Sequence, residues 1–209
     1  MRTRQKLNPK GRVTLLETRQ AAERGEQRGR GAVSNQTGRF EPETRHAFDD
    51  GWDTVEETAA RLETTLTQES AKTIITFNKS PDISFDRTIN PYRGCEHGCI
   101  YCFARPRHAY GGLSAGLDFE SRLFFKPNAP ELLKRELSRP GYRPRPIALG
   151  MNTDAFQPVE RDTGLTREVL KILLACQHPV SLLTKSSLIE RDMDIIGPMA
   201  RMGLARVGV

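Results

Sequence analysis

Three cysteines with the chemistry to hold a metal fall within one eight-residue stretch of the 209-residue chain. They are Cys95, Cys99 and Cys102, a C-x3-C-x2-C pattern inside the segment NPYRGCEHGCIYCFARPRHAYGG at residues 90–112. Thiolates bind Zn²⁺, iron–sulfur clusters and copper, and neighbouring cysteines can also form disulfides. A [4Fe–4S] cluster bound entirely by protein takes four cysteines. Three would leave one iron open to a small bidentate molecule.

Zinc and a disulfide are the competing interpretations of these thiols. His97 or His108 could complete a Cys3His zinc site, but structural zinc sites usually present paired C-x2-C knuckles, and the sequence has no second pair. A disulfide would leave one cysteine over, and no secretory signal precedes the motif. We therefore favour a cluster. The fourth cysteine, Cys176, is predicted to be a small core residue of a helix.

The motif Cys95-x3-Cys99-Ile-Tyr101-Cys102 resembles the cluster signature of the radical S-adenosylmethionine (SAM) superfamily, including the aromatic residue before the third cysteine. The flanking words NPYRGC, CIYCFARPRHAY and GLDFE resemble a bacterial subgroup related to spore photoproduct lyase, often described as DNA repair photolyase-like. The similarity runs from about Gly29 to the last residue. It implies a [4Fe–4S] cluster, reductive cleavage of SAM to a 5′-deoxyadenosyl radical, and hydrogen abstraction from a substrate by a lyase-like enzyme.

The resemblance also implies a cofactor site and a partner. Tyr101 should lie against the adenine of SAM, while Thr153 and Asp154 suit its ammonium group or ribose. Lys185 suits its carboxylate as a point charge. The local alternatives are that Asp154 caps the segment after it and that Lys185 is only solvated. An electron donor such as flavodoxin or ferredoxin is the expected partner.

The match to spore photoproduct lyase is incomplete at its hydrogen donor. That enzyme needs a cysteine near the end of the second strand, where this chain has Met151-Asn152-Thr153. The substrate is therefore not assigned, and a nucleic-acid lesion is one candidate.

Strands and helices that alternate along the chain should position these residues. We predict strands at 73–77, 87–90, 147–151, 180–183 and 204–209, and helices at 128–138, from Thr166 to His178, and at 191–202. Alternation of this kind predicts a parallel α/β sheet. The loops after the strands at 87–90, 147–151 and 180–183 should meet at one edge of that sheet, because sites form at the carboxyl ends of parallel strands.

The resemblance sharpens this fold to a partial (β/α) barrel of the radical SAM type. About four strands fit into the chain, so we expect a C-terminally truncated member, cut before its barrel is complete. The domain organisation should be a basic, largely disordered N-terminal arm at 1–60 and a radical SAM core at 61–209.

The charge of the chain is unevenly distributed. Residues 1–30 carry nine Lys and Arg against three acidic residues, whereas residues 31–209 carry 23 of each. The arm could contact nucleic-acid phosphates or be a solvated tail. Residues 93–145 hold ten Lys and Arg against five acids, which could form the rim of an anionic-substrate site or a solvated loop.

No apolar stretch is long enough for a membrane span and no apolar leader follows Met1, so we expect no membrane association and a cytoplasmic location. Two alternatives to the radical enzyme remain. One is a zinc-stabilised nucleic-acid-binding module, and the other is an inactive truncated product.

Overall fold

The computed structural model describes residues 30–32, 34, 35, 37, 40 and 62–209. These residues divide into two compact units. The small unit contains the described residues up to Thr65 together with Gly98–Arg122, and the sheet unit contains Leu66–His97 and Leu123–Val209. Most of the predicted arm at 1–60 lies outside the described residues, so its disorder stays a prediction.

The described residues form short strands and helices in alternation. The strands are β1 (Thr65–Gln68), β2 (Ile75–Phe77), β3 (Arg87–Ile89), β4 (Tyr92–Arg93), β5 (Arg122–Phe125), β6 (Ile147–Leu149), β7 (Val180–Leu183) and β8 (Ala205–Gly208). The helices are α1 (Leu117–Ser121), α2 (Ala129–Leu137), α3 (Glu160–Thr163), α4 (Leu165–Ala175) and α5 (Met193–Arg201), with 3-10 turns at Arg105–Gly111 and Ser187–Asp192.

The main sheet has the strand order β2-β3-β6-β7-β8. Its last four strands are parallel, with Thr88 opposite Ala148, Ile147 opposite Val180 and Val180 opposite Ala205. The predicted parallel α/β sheet is therefore confirmed. It is a mixed sheet overall, because β2 pairs antiparallel to β3, with Ile75 opposite Ile89.

Helices α2, α4 and α5 bury one face each in the main core of the sheet unit. Their buried side chains recur at helical spacing, as the sequence pattern predicts. The core side chains they contribute include Leu132, Leu133, Val169, Leu170, Leu173, Ile196 and Met199. Each fully buried aliphatic side chain contributes about 1.5–3 kcal/mol to stability. This core therefore holds the helices against the sheet and keeps the ends of its strands in place.

Some details of the helices differ from the predictions. Helix α4 begins at Leu165 rather than Thr166, after Gly164 at φ +63°. The predicted helix at 191–202 is a 3-10 turn followed by α5, which continues through Pro198. The prediction for Cys176 is wrong, because its side chain is exposed. Cys176 is three residues after Leu173, so the two side chains would lie on the same helix face if the helix continued. Helix α4 ends at Ala175, before that position.

A second sheet, with the order β1-β5-β4, was not predicted. Strands β4 and β5 are antiparallel, and Tyr92 lies opposite Phe125. Tyr92 also packs with Leu123, Val159 and Leu165 in a separate apolar cluster. This sheet holds the chain immediately before Cys95.

Within the described ranges, every helix is too short or too polar to cross a bilayer.

Candidate functional site

Three segments of the sheet unit meet at the carboxyl edge of the main sheet, and Asp154 joins them. Its carboxylate accepts hydrogen bonds from Thr184 Oγ1 at 2.7 Å, Lys185 N at 3.0 Å and Phe156 N at 2.9 Å. His97 Nε2 lies 3.2 Å from Asp154 Oδ2. The prediction that the segments after β3, β6 and β7 share one edge is therefore confirmed.

The carboxylate of Asp154 is held in its ionised form. Burial raises its pKa, but His97 and the hydrogen bonds from Thr184, Lys185 N and Phe156 N outweigh burial and leave the pKa below its usual value. A carboxylate has about four acceptor positions, and Thr184, Lys185 N and Phe156 N engage three of them. Asp154 thus caps the segment that follows it, which is the local alternative to a role in binding SAM. It also links that segment to the one after β7.

Cys95 is buried, and both of its chain neighbours are fixed by the segment after β6. The buried side chain of Gln157 accepts from Glu96 N at 3.0 Å and donates to Gly94 O at 3.3 Å. Glu96 Oε2 in turn accepts from Val159 N at 2.9 Å. These contacts hold the backbone on either side of the Cys95 thiol.

Thr153, another predicted site residue, is buried beside this network. Its hydroxyl donates to Tyr92 O at 3.3 Å. Lys185 is exposed, and its backbone rather than its ammonium group contacts Asp154. The structure therefore brings Thr153, Asp154 and Lys185 to one edge of the sheet, with only Lys185 presenting its side chain to solvent.

The tight turn after β6 depends on Gly150. Its φ is +79°, its N–H donates to Ile89 O at 2.9 Å, and an added Cβ would lie 2.9 Å from Ala155 N. Asn90 Oδ1 accepts from Asn152 N at 2.9 Å. The end of β6 is thereby tied to the end of β3.

Cys99 and Cys102 lie in the small unit, where Arg105 holds their backbone. The guanidinium of Arg105 donates to Cys99 O at 2.8 Å and to Gly98 O at 2.7 Å. It also pairs with the fully buried carboxylate of Glu120. Cys102 N closes the turn by donating to Cys99 O at 3.2 Å. Both thiols are partly exposed.

Tyr101, between these two cysteines, is 82% exposed. Its neighbours Ile100 and Phe103 are 74% and 72% exposed. An apolar surface of this kind is available to a planar ligand, which is the position that the resemblance implies for Tyr101.

Part of the excess of Lys and Arg in residues 93–145 lies away from the candidate site. Arg139, Arg143 and Arg145 precede β6 and so lie towards its amino end, away from the candidate site. There Arg145 pairs with Asp86 at 2.9 Å, and hydrogen bonds from Arg87 and Arg145 lower the pKa of Asp86 to about 2. This part of the patch does not border the carboxyl edge of the sheet.

A [4Fe–4S] cluster can be tested against this donor set. The four cysteines all lie in the described part of the chain and none forms a disulfide, so the chemistry of the three thiols fits. Their placement adds no support, because no group of three His, Cys, Asp or Glu side chains within the described residues is arranged to hold a metal ion. Cluster binding therefore rests on the type and spacing of the residues.

Glu96 and His97 lie between the first two cysteines of the motif, and both are partly buried and contact the segment after β6. Gln157 was not singled out, since an isolated glutamine carries no motif. Gln157 lies seven residues after Gly150, and its contacts with Gly94 and Glu96 can be inferred only once the turn at Gly150 is known.

Comparison with known proteins gives relatives without an assigned activity. No family model matches the chain, and no solved structure matches it. Uncharacterized proteins of Mycobacterium bovis and Mycobacterium tuberculosis are each 40% identical over 135 residues, covering 63% of this chain and 40% of theirs. An uncharacterized protein of Methanocaldococcus jannaschii is 34% identical over 128 residues, covering 60% of this chain and 44% of its own. The chain spans about two fifths of the length of these relatives.

Proposed function

We propose that the chain carries the cluster-binding part of a radical SAM enzyme, in which Cys95, Cys99 and Cys102 hold a [4Fe–4S] cluster. The observation that carries this proposal is the C-x3-C-x2-C spacing. Three thiols within eight residues can reach one common object, and none of the three is used in a disulfide. When bound, the cluster supplies the electron that cleaves SAM to a 5′-deoxyadenosyl radical.

The order of the main sheet supports the finer fold assignment, a partial (β/α) barrel. Four parallel strands occur in chain order as neighbours, β3-β6-β7-β8, and a helix lies in each connection. Sequential parallel strands with helical crossovers are the repeating unit of such barrels. Their active sites lie at the carboxyl ends of the strands, which is where the segments joined by Asp154 lie.

Each remaining site residue then has a role that suits its surroundings. The ring of Tyr101 would stack on the adenine of SAM, and Lys185 would supply a positive charge for its carboxylate. Thr153 and Asp154 shape the pocket for the ammonium group and ribose by fixing the segment after β6. An external donor such as flavodoxin or ferredoxin supplies the electron. The substrate is unassigned, with a nucleic-acid lesion as one candidate.

The test is metal content after anaerobic reconstitution with iron and sulfide. The native chain should bind roughly four irons, and Cys99→Ser should lose them. Cys176→Ser is the matched control, because it removes an exposed cysteine outside the motif and should retain full iron content.

Three results would count against this function. Stoichiometric zinc with no iron would favour the zinc-stabilised module instead. Equal iron loss in Cys99→Ser and Cys176→Ser would show that the motif is not the ligand set. Iron-loaded protein that does not bind SAM would remove the radical SAM assignment while leaving an iron–sulfur protein.

A further inference from the structure

Two cationic side chains of the sheet unit lie beside the candidate site without a role in it. Arg93 belongs to β4, and its guanidinium carbon lies 4.1 Å from the centre of the Phe124 ring on β5. Lys126 follows β5 directly, and its ammonium donates to Asn90 O at 2.9 Å. Asn90 directly follows β3 at the carboxyl edge of the main sheet, so both cations are anchored close to that edge.

Within the described residues, Glu69 is the carboxylate that acts on both positive charges. Glu69 Oε1 lies 3.5 Å from Arg93 Nη2. Burial lowers the pKa of Lys126, Glu69 acts to raise it, and the charge of Arg93 lowers it further. Glu69 therefore compensates one of the two cations, and the pair as a whole retains positive charge.

Both cations also keep donors that the described residues do not use. Arg93 Nε is buried and has no hydrogen-bond partner among the described residues. Lys126 has three N–H donors, and one of them is engaged, by Asn90 O, within the described part of the chain. Buried donors are normally satisfied, so these unused donors and the surplus charge indicate a missing acceptor that is negatively charged.

The position of the pair connects it to the proposed reaction. Asn90, which binds Lys126 through its carbonyl, also accepts from Asn152 N through its side chain. Arg93 is two residues from Cys95. An anion held by Arg93 and Lys126 would therefore lie next to the segments that line the candidate site.

We propose that Arg93 and Lys126 bind a phosphate group of the substrate. A planar guanidinium whose Nε is unpaired and a nearby ammonium group together suit the several oxygens of a tetrahedral oxyanion. The link to a substrate rests on the proposed function, whereas phosphate binding itself requires no cluster.

The test uses the full 209-residue chain without cluster and measures binding of inorganic phosphate by calorimetry at low salt. Arg93→Gln and Lys126→Gln should each weaken binding by about tenfold or more, the effect of losing one charge-assisted contact. Lys134→Gln is the matched control. It removes the same charge from an exposed position on α2 and should leave the affinity unchanged.

A second pair of probes identifies the source of the phosphate. Uridine 5′-monophosphate should bind with an affinity that depends on Arg93 and Lys126, while uridine should not bind. Binding of inorganic phosphate without binding of the nucleotide would overturn the assignment of the site to a substrate phosphate and leave a site for the free anion. Equal competition by acetate would overturn the assignment to phosphate.

The remaining outcomes are also decisive. No phosphate binding by the native chain, or equal losses in Lys134→Gln, would overturn the site. Urea unfolding checks that each variant is folded. If Arg93→Gln does not fold, Arg93→Lys replaces it in the binding test, because lysine keeps the charge but lacks Nε. Iron content is measured separately, so iron loading without phosphate binding overturns this inference alone, and the reverse result overturns the proposed function alone.

Discussion

Arg105 is the residue on which the backbone of the Cys99–Cys102 turn depends. Its guanidinium donates to four carbonyl oxygens, those of Gly98, Cys99, Ala115 and Gly116, and also pairs with Glu120. It lies 5.1 Å from the centre of the Phe119 ring. The side chain thus links the cysteine turn to α1 through contacts that a shorter or differently shaped cation cannot reproduce.

Arg105→Ala should destabilise the small unit by about 3 kcal/mol, because it leaves the buried Glu120 carboxylate without its cation. Amide hydrogen exchange across residues 98–122 should accelerate. Arg107→Ala is the control, since Arg107 is exposed and lies two residues away. Similar exchange rates in both variants would contradict the role of Arg105, as would full rescue by Arg105→Lys.

His178 is a buried residue whose neighbours fix its charge state. Nδ1 lies 3.0 Å from Pro179 O, and since a carbonyl only accepts, Nδ1 carries the proton. Nε2 then accepts from the hydroxyl of Tyr142 at 2.8 Å. Burial lowers the pKa of His178, and the charge of Arg87 lowers it further, although the Pro179 bond opposes them. His178 therefore does not act as a charged partner of the α4 dipole, although it follows the end of that helix.

The free energy of unfolding should consequently fall as the pH drops below the ordinary histidine value of 6.5. In that range the unfolded chain takes up a proton at residue 178 that the folded chain excludes, until the lowered pKa is reached. The loss is at most about 1.4 kcal/mol per unit of pH. Urea unfolding at several pH values between neutrality and about pH 5, above the range where carboxylates titrate, measures it.

His178→Gln keeps a donor and an acceptor but cannot titrate, so its stability should vary less with pH over this range. An unchanged pH dependence in the variant would assign the effect to another histidine. The chain has four.

At the scale of the elements, the turn after β6 determines where the site segment begins. Gly150 and Gly141 both have φ +79°, but an added Cβ at Gly150 would lie 2.9 Å from Ala155 N, whereas at Gly141 nothing lies within 4 Å. The two positions therefore share the backbone strain and differ only in the contact.

Gly150→Ala should cost more stability than Gly141→Ala. The strain of a left-handed alanine, about 1–2 kcal/mol, is common to both, and the steric contact with Ala155 adds to it at Gly150. Thermal unfolding of the two variants measures the difference. Equal melting temperatures would mean that the turn relaxes without moving the segment that contains Asp154.

Sequence patterns predicted the elements that bury a repeating apolar face. The stripe of α4, at Val169, Leu170 and Leu173, could be predicted from its helical spacing, and β7 from a short apolar run that follows His178-Pro179. The pairing of β4 with β5 could not be predicted. A two-residue strand has no period, and its partner is about 30 residues away along the chain.

The same distinction applies to the candidate site. The cysteines and the meeting of three loops followed from spacing and from the geometry of parallel strands. The contacts of Gln157 with Gly94 and Glu96 did not, because they join isolated polar residues more than 60 positions apart. The surplus positive charge of Arg93 and Lys126 could not be predicted either, because it depends on which carboxylates lie near these two side chains in the fold.

At the scale of the whole molecule, the basic excess of the chain lies in its first 29 residues. Residues 1–29 carry eight Lys and Arg against three acids, while residues 30–209 carry 24 against 23. Arg30 belongs with the small unit, where it donates to Thr64 Oγ1 at 2.7 Å. A deletion that ends at residue 29 therefore removes the basic excess and keeps that contact.

If the basic arm contacts nucleic acid, deletion of residues 1–29 should abolish most binding to random-sequence duplex DNA at low salt, because non-specific affinity follows the number of phosphates neutralised by Lys and Arg. Fluorescence anisotropy between about 50 and 200 mM salt should show a steep loss of affinity for the full chain and almost none for the deleted one. Phosphate binding by Arg93 and Lys126 should be unchanged, since that pair lies in the sheet unit. If the deleted chain instead retains both the affinity and its salt dependence, the contact with nucleic acid belongs to residues 30–209, and the basic arm has no part in it.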